Sequence, residues 1–148
     1  IGQFELTLQK VVALAVLMPI VAGVGGNAAV QVLTLMVRGI ALGQVGPSNA
    51  RILLWKELRV ALINGTLIGL LVGVIAFLWF HSWLLSIVIT LALMINFCAA
   101  ALAGVLLPLM LKRMNVDPAV AGTVVVTAVT DVMGFFSFLG LATLILLH

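Results

Sequence analysis

Four apolar segments make up most of this chain, and each is long enough to cross a bilayer. They run from about Val11 to Val37, Val60 to Phe80, Trp83 to Leu111 and Ala119 to Leu147. The second corresponds to about 31 Å of helix, matching a hydrocarbon core about 30 Å thick. A membrane-spanning strand needs only about ten residues, so continuous runs of this length predict helices. Composition agrees: 65% of the 148 residues are hydrophobic and 7% are charged, against about 25% charged in soluble domains. The expected fold class is an all-α membrane protein, a polytopic bundle of four transmembrane helices. No length remains for a soluble domain.

Charge sets the expected orientation. Arg38, Arg51, Lys56 and Arg59 fall between the first two segments, and Lys112 and Arg113 follow the third. The His81-Ser82 turn has no fixed charge. The positive-inside rule then puts both basic loops in the cytoplasm and both chain ends outside, in a multi-pass protein of the plasma or cell inner membrane. The net charge of +3 belongs to these loops, so it points to no nucleic-acid partner. Ser48 or Asn49 is expected to cap a short interfacial helix carrying Arg51, Trp55 and Arg59 on one side. Trp79 and Trp83 flank the outer turn as interface aromatics. Cys98, the single cysteine, permits no disulfide within the chain and reads as a core residue. Gly65, Gly69 and Gly73 form a small-residue stripe, suited to close packing within the chain or to a dimer seam.

Asp131 stands in the middle of the last segment, which has no other charge, and the chain has only four acidic residues. A carboxylate at that depth costs about 2.5–3.5 kcal/mol on insertion scales and marks a functional site. Thr123, Thr127 and Asp131 succeed one another at four-residue spacing, and Thr130, Gly134 and Ser137 share the same sector of about 120°. On the first segment Gly23, Asn27, Gln31, Thr34 and Arg38 occupy an arc of about 80°. Asn27 lies about 16 Å in from Arg38, near mid-membrane, as Asp131 does. Two polar strips at one depth suggest a shared hydrophilic interior. Interhelical hydrogen bonding is the plain alternative for the first strip, and pairing with Arg38 or protonation the alternative for Asp131. The Gly25-Gly26 pair would tolerate local unwinding, which frees carbonyl oxygens.

Hydroxyls, amides, carbonyls and one carboxylate, without a thiolate or imidazole cluster, suit a hard cation. Mg2+ gives up its water reluctantly and needs only one or two carboxylates. A second copy of the chain across a two-fold axis would bring a second Asp131. A proton relay needs Asp131 alone. Aspartyl catalysis needs two carboxylates sharing a site, so no enzyme is expected.

The stretch Pro19-Ile20-Val21-Ala22-Gly23-Val24-Gly25-Gly26-Asn27-Ala28-Ala29-Val30-Gln31 resembles the P-x3-G-x-G-G-N-x-G-x-Q signature of MgtE-type magnesium channels. Thr34, the Val37–Gly43 block, Lys56-Glu57-Leu58, Asp117-Pro118-Ala119 and Thr130-Asp131-Val132-Met133-Gly134 fit the same pattern. Ala29 departs from it, since the family often has glycine there. The resemblance covers essentially the whole chain. It implies a homodimeric transmembrane pore domain over residues 1–148, lined by the first and fourth segments here and conducting hydrated Mg2+. It also implies that the family's first helix and its cytoplasmic sensor domains lie outside this chain. Asp131 matches the family's pore aspartate, Thr127 and Thr123 its backbone oxygens one and two turns earlier, and Gly26-Asn27 the opposing wall. These five are the expected metal-binding residues. Gly23, Gln31, Thr34, Thr130 and Gly134 are expected to line the pore. The alternative is a secondary cation transporter coupled to H+ or Na+ through Asp131.

Overall fold

The structure, a computed structural model, describes the backbone of residues 2–44, 46 and 48–145, with side chains from residue 12 onward except those at 119 and 120. Four helices follow one another: α1 (Gly2–Ala41), α2 (Ala50–Phe80), α3 (Trp83–Arg113) and α4 (Pro118–Ile145). All four are long and apolar enough to cross a membrane, and no strand occurs among the described residues. The sequence end point at Leu147 lies outside the described residues.

Two helices are longer than hydropathy suggested. α1 begins at Gly2 rather than near Val11, and its 40 residues make about 60 Å of helix, twice the hydrocarbon thickness. α2 begins at Ala50, so the segment expected as a separate interfacial helix is the first part of the second span. Arg51, Lys56, Glu57 and Arg59 lower hydropathy, but they are good helix formers and nothing after Ala50 breaks the helix. Asn49 occupies the N-cap position without capping. Its Oδ1 accepts from the Gly46 N–H at 2.8 Å, and its Nδ2 donates to the Gln44 carbonyl at 2.7 Å, so its side chain closes the preceding turn instead. Ser82 does cap α3, its hydroxyl oxygen accepting from the Leu85 N–H at 3.2 Å. The turn before it closes at His81, a left-handed residue (φ 56°) whose N–H donates to the Phe77 carbonyl at 2.8 Å. Trp79 and Trp83 are exposed on either side of this turn.

α3 is the central helix and packs against each of the others, whereas the consecutive helices α1 and α2 scarcely meet. Contacts at successive levels fix the directions. Val21 lies near Gly134, Gly26 near Thr130 and Leu33 near Gly122, so α1 and α4 are antiparallel. Asn96 approaches Gly25, and Gly104 approaches Ala29 and Val32, so α1 and α3 are parallel. The two basic loops therefore share one end of the bundle, and the His81 turn lies at the other.

Two apolar clusters divide the interior of α1, α3 and α4. One, toward the His81 end, gathers Leu17, Val21, Ile89, Leu93 and Phe138. The other gathers Ala29, Leu33, Ala100, Ala103 and Val126 toward the basic end. Between them lies a polar layer made by Asn96.

The glycine stripe of α2 is used within the chain. Gly65, Gly69 and Gly73 are buried against α3, where a Cβ on Gly65 would lie 3.1 Å from the Met94 Cα. Close approach permits two bonds between helices: Ser86 Oγ donates to the Gly73 carbonyl at 2.8 Å, and Thr90 Oγ1 to the Gly69 carbonyl at 3.0 Å. Gly73→Val should therefore destabilise the fold by about 1–3 kcal/mol through overpacking. Reversible unfolding in mixed micelles measures this, and an unchanged midpoint would refute the packing role.

Candidate functional site

α4 contains no proline or paired glycine after its start, so threonines and valines carry an unbroken helix past Asp131. Its polar sector divides into two parts. Thr130, Gly134 and Ser137 are buried inside the bundle, while Thr127 and Asp131 are half-buried at its edge and Thr123 is exposed. Thr130 Oγ1 is satisfied within its own helix, donating to the Val126 and Thr127 carbonyls at 3.0 Å each. The Thr127 carbonyl thus serves both a helical N–H and this hydroxyl, which leaves the Thr127 side chain as its freer polar group. Ser137 likewise turns back to the Gly134 carbonyl at 3.2 Å. The Asp131 side chain makes no hydrogen bond or ion pair among the described residues.

α1 divides along its length in the same manner. Val21, Gly25, Gly26, Ala29 and Leu33 face inward, and Gly23, Asn27, Gln31, Thr34 and Arg38 are all exposed on the opposite face. Thr34 Oγ1 donates to the Val30 carbonyl at 2.8 Å. The Asn27 and Gln31 side chains make no hydrogen bond among the described residues, so bonding between the described helices does not account for the strip.

The helices bring the two strips to one level. A Cβ on Gly26 would lie 3.8 Å from Thr130 Oγ1, and Asn27 and Asp131 are the next residue on each helix. Arg38 is twelve residues beyond Gly26, about 18 Å along the axis, which rules out its pairing with Asp131 within the chain. Gly26 is not on the open face. It is buried beside Thr130 in an unbroken helix, so its carbonyl is engaged by the N–H four residues on. The helix runs on through Gly25-Gly26 without the unwinding that the pair would tolerate.

The glycines instead make room for Asn96 of α3. Its side chain is fully buried, and its Nδ2 donates to the Val21 carbonyl at 2.9 Å. A Cβ on Gly25 would overlap it, lying 2.7 Å from its Cγ, and a Cβ on Gly134 would lie 3.0 Å from its Nδ2. Asn96 Oδ1 has no partner. A lone carboxamide in an apolar run was the available signal, but only the assembled α1–α3–α4 contact gives it meaning. Among the described residues no group of three or more His, Cys, Asp or Glu side chains could enclose a metal ion. One chain therefore offers a single mid-membrane carboxylate beside an open polar strip.

Comparison with known proteins bears on that arrangement. Residues 18–141 match the family described as MgtE, divalent cation transporter. The chain belongs to the MgtE family. The matched region includes both polar strips and all three inter-helix turns. The chain is 37% identical over 144 residues to a magnesium transporter MgtE of Thermus thermophilus, and 29% identical over 143 residues to that of Bacillus subtilis. It is also 29% identical over 144 residues to the magnesium transporter MgtE of Enterococcus faecalis. Each comparison covers 97% of this chain and 32% of the relative, so the chain spans about a third of the length of these MgtE proteins. It is a multi-pass membrane protein of a transporter family.

Proposed function

We propose that this chain forms the membrane-spanning pore domain of a magnesium-transporting protein, conducting hydrated Mg2+ between two copies of itself. The exposed strip of Asn27 and Gln31, level with Asp131, carries this reading. Polar groups at mid-membrane depth need water or a partner, because unsatisfied they cost several kcal/mol each in hydrocarbon. The described residues supply none to the side chains of Asn27, Gln31 or Asp131. A two-fold axis beside α1 and α4 would turn both strips toward a common passage and set two Asp131 carboxylates across it. The names of the relatives favour magnesium as the ion.

In this scheme Asp131 attracts the ion through its charge. Two carboxylates in a narrow, low-dielectric passage favour a divalent over a monovalent cation. Mg2+ keeps its water shell, which the hydroxyls of Thr123 and Thr127 and the carboxamide of Asn27 contact. Gly23, Gln31 and Thr34 continue the passage toward the basic end. Gly26, Thr130 and Gly134 act from behind it, holding α1 and α4 close enough to form one wall. The basic loops lie in the cytoplasm and both ends of the chain outside, in accord with the shared end those loops occupy.

Coupled transport is the competing mechanism, and gradients separate the two. In vesicles containing the intact protein, Mg2+ flux should follow the Mg2+ gradient and membrane potential alone. Flux that stops when a proton or sodium gradient is collapsed would overturn conduction in favour of coupling through Asp131.

A further inference from the structure

α1 and α2 are joined by a short loop at the basic end, yet they diverge and leave α3 as the floor of a groove between them. Its mouth is a cavity of about 400 Å³ bordered by Arg38, Leu42, Leu53 and Lys56. A second cavity of about 150 Å³ lies deeper, with Ala28 and Ala61 on its walls and Phe97, Ala100 and Ala101 beneath. Val32, Leu35 and Glu57 border both, so the two are one continuous groove.

We propose that this groove binds an anionic glycerophospholipid of the phosphatidylglycerol type. Its phosphate sits on Arg38 and Lys56, and one acyl chain lies inward over α3. The chemistry changes along the groove as a lipid does. Two exposed cations stand at the mouth, where anionic headgroups collect, and the depth is lined mainly by alanine, valine, leucine and phenylalanine. Basic pockets between transmembrane helices suit such headgroups. Arg38 and Lys56 make no ion pair among the described residues, which leaves both charges available. Glu57, half-buried between the two cavities, lowers the net charge of the mouth but adds an acceptor. A glycerol headgroup has hydroxyls to donate to it, and a choline headgroup has none. Asn64 edges the inner part with an amide donor, matched to an ester carbonyl of a lipid drawn between the helices. Trp55, exposed just beside Lys56, suits the same interfacial level.

Native mass spectrometry of the intact protein, titrated with phosphatidylglycerol and with phosphatidylcholine, tests the assignment. Lys56→Gln is the main variant, because Lys56 has no part in the proposed pore. Phosphatidylglycerol should be retained in preference to phosphatidylcholine at one site per chain. Lys56→Gln should weaken it about fivefold and Lys56→Arg should restore it, as expected for one basic residue at an anionic headgroup. Circular dichroism of the variant should match wild type. Equal retention of the two lipids would overturn the proposal, as would wild-type retention by Lys56→Gln. Preferential binding of phosphatidylethanolamine would assign the site to Glu57 and also overturn it. Loss of dimer rather than of lipid on Lys56→Gln would make the groove a contact between copies and reject the lipid.

Discussion

Replacing Asp131 with asparagine in the intact protein is expected to lower Mg2+ uptake by at least ~100-fold. The substitution keeps size and shape, removes the charge and exchanges one acceptor oxygen for an amide donor. A unit charge about 5 Å from another, at an effective dielectric of about 20, interacts by about 3 kcal/mol, and a divalent ion doubles this. Each 1.4 kcal/mol is about tenfold in binding, so about half of that energy covers the stated loss. Asp131→Glu should retain part of the flux, since it restores the charge while displacing it. Uptake by vesicles loaded with a Mg2+-sensitive dye provides the readout. Wild-type uptake by the asparagine variant would remove Asp131 from the ion path, and with it the reason for pairing the two strips.

The second large effect is expected at Gly25, through packing rather than charge. A methyl group there would enter the volume of the Asn96 side chain, which is fully buried and bonded to the Val21 carbonyl. Gly25→Ala should cost about 1–3 kcal/mol as an overpacked contact. Asn96→Ala should cost about 1–2 kcal/mol by removing a buried hydrogen bond and the atoms that fill the layer. The two losses should not add. With the carboxamide gone, the new methyl has space, so the double variant should recover at least about 1 kcal/mol relative to the sum. Unfolding in mixed micelles gives all four corners of this cycle. Strict additivity would show that Gly25 and Asn96 do not share the contact described.

These two residues illustrate what the sequence could and could not convey. The spans were legible because bilayer thickness imposes a length that few other folds imitate. The start of α2 was not, because its first turns carry Arg51, Lys56, Glu57 and Arg59, and hydropathy reads charge as loop while the backbone reads it as good helix. Asp131 was legible from its insertion cost alone. The sector around it was less so. A helical wheel groups Thr130, Gly134 and Asp131 in one arc, but only neighbouring helices decide which edge is covered. Here α1 and α3 bury Thr130 and Gly134 and leave Asp131 half-open. The Gly25-Gly26 pair permits either a break or a close approach, and the choice was made by Asn96 and Thr130 on helices remote in sequence. The open strip of α1 was legible as a strip. That its Asn27 and Gln31 side chains find no partner among the described residues required the assembled bundle.

In the proposed pore, Asp131 is half of an ion site completed by a second copy. Anomalous diffraction from crystals of the intact protein soaked in Mn2+, which carries the same charge and also prefers oxygen ligands, tests it most directly. A peak is expected on a two-fold axis between two Asp131 carboxylates, set back from both by the ion's retained water. A membrane-region peak held by residues that exclude Asp131, or Asp131 side chains directed away from any shared axis, would contradict it.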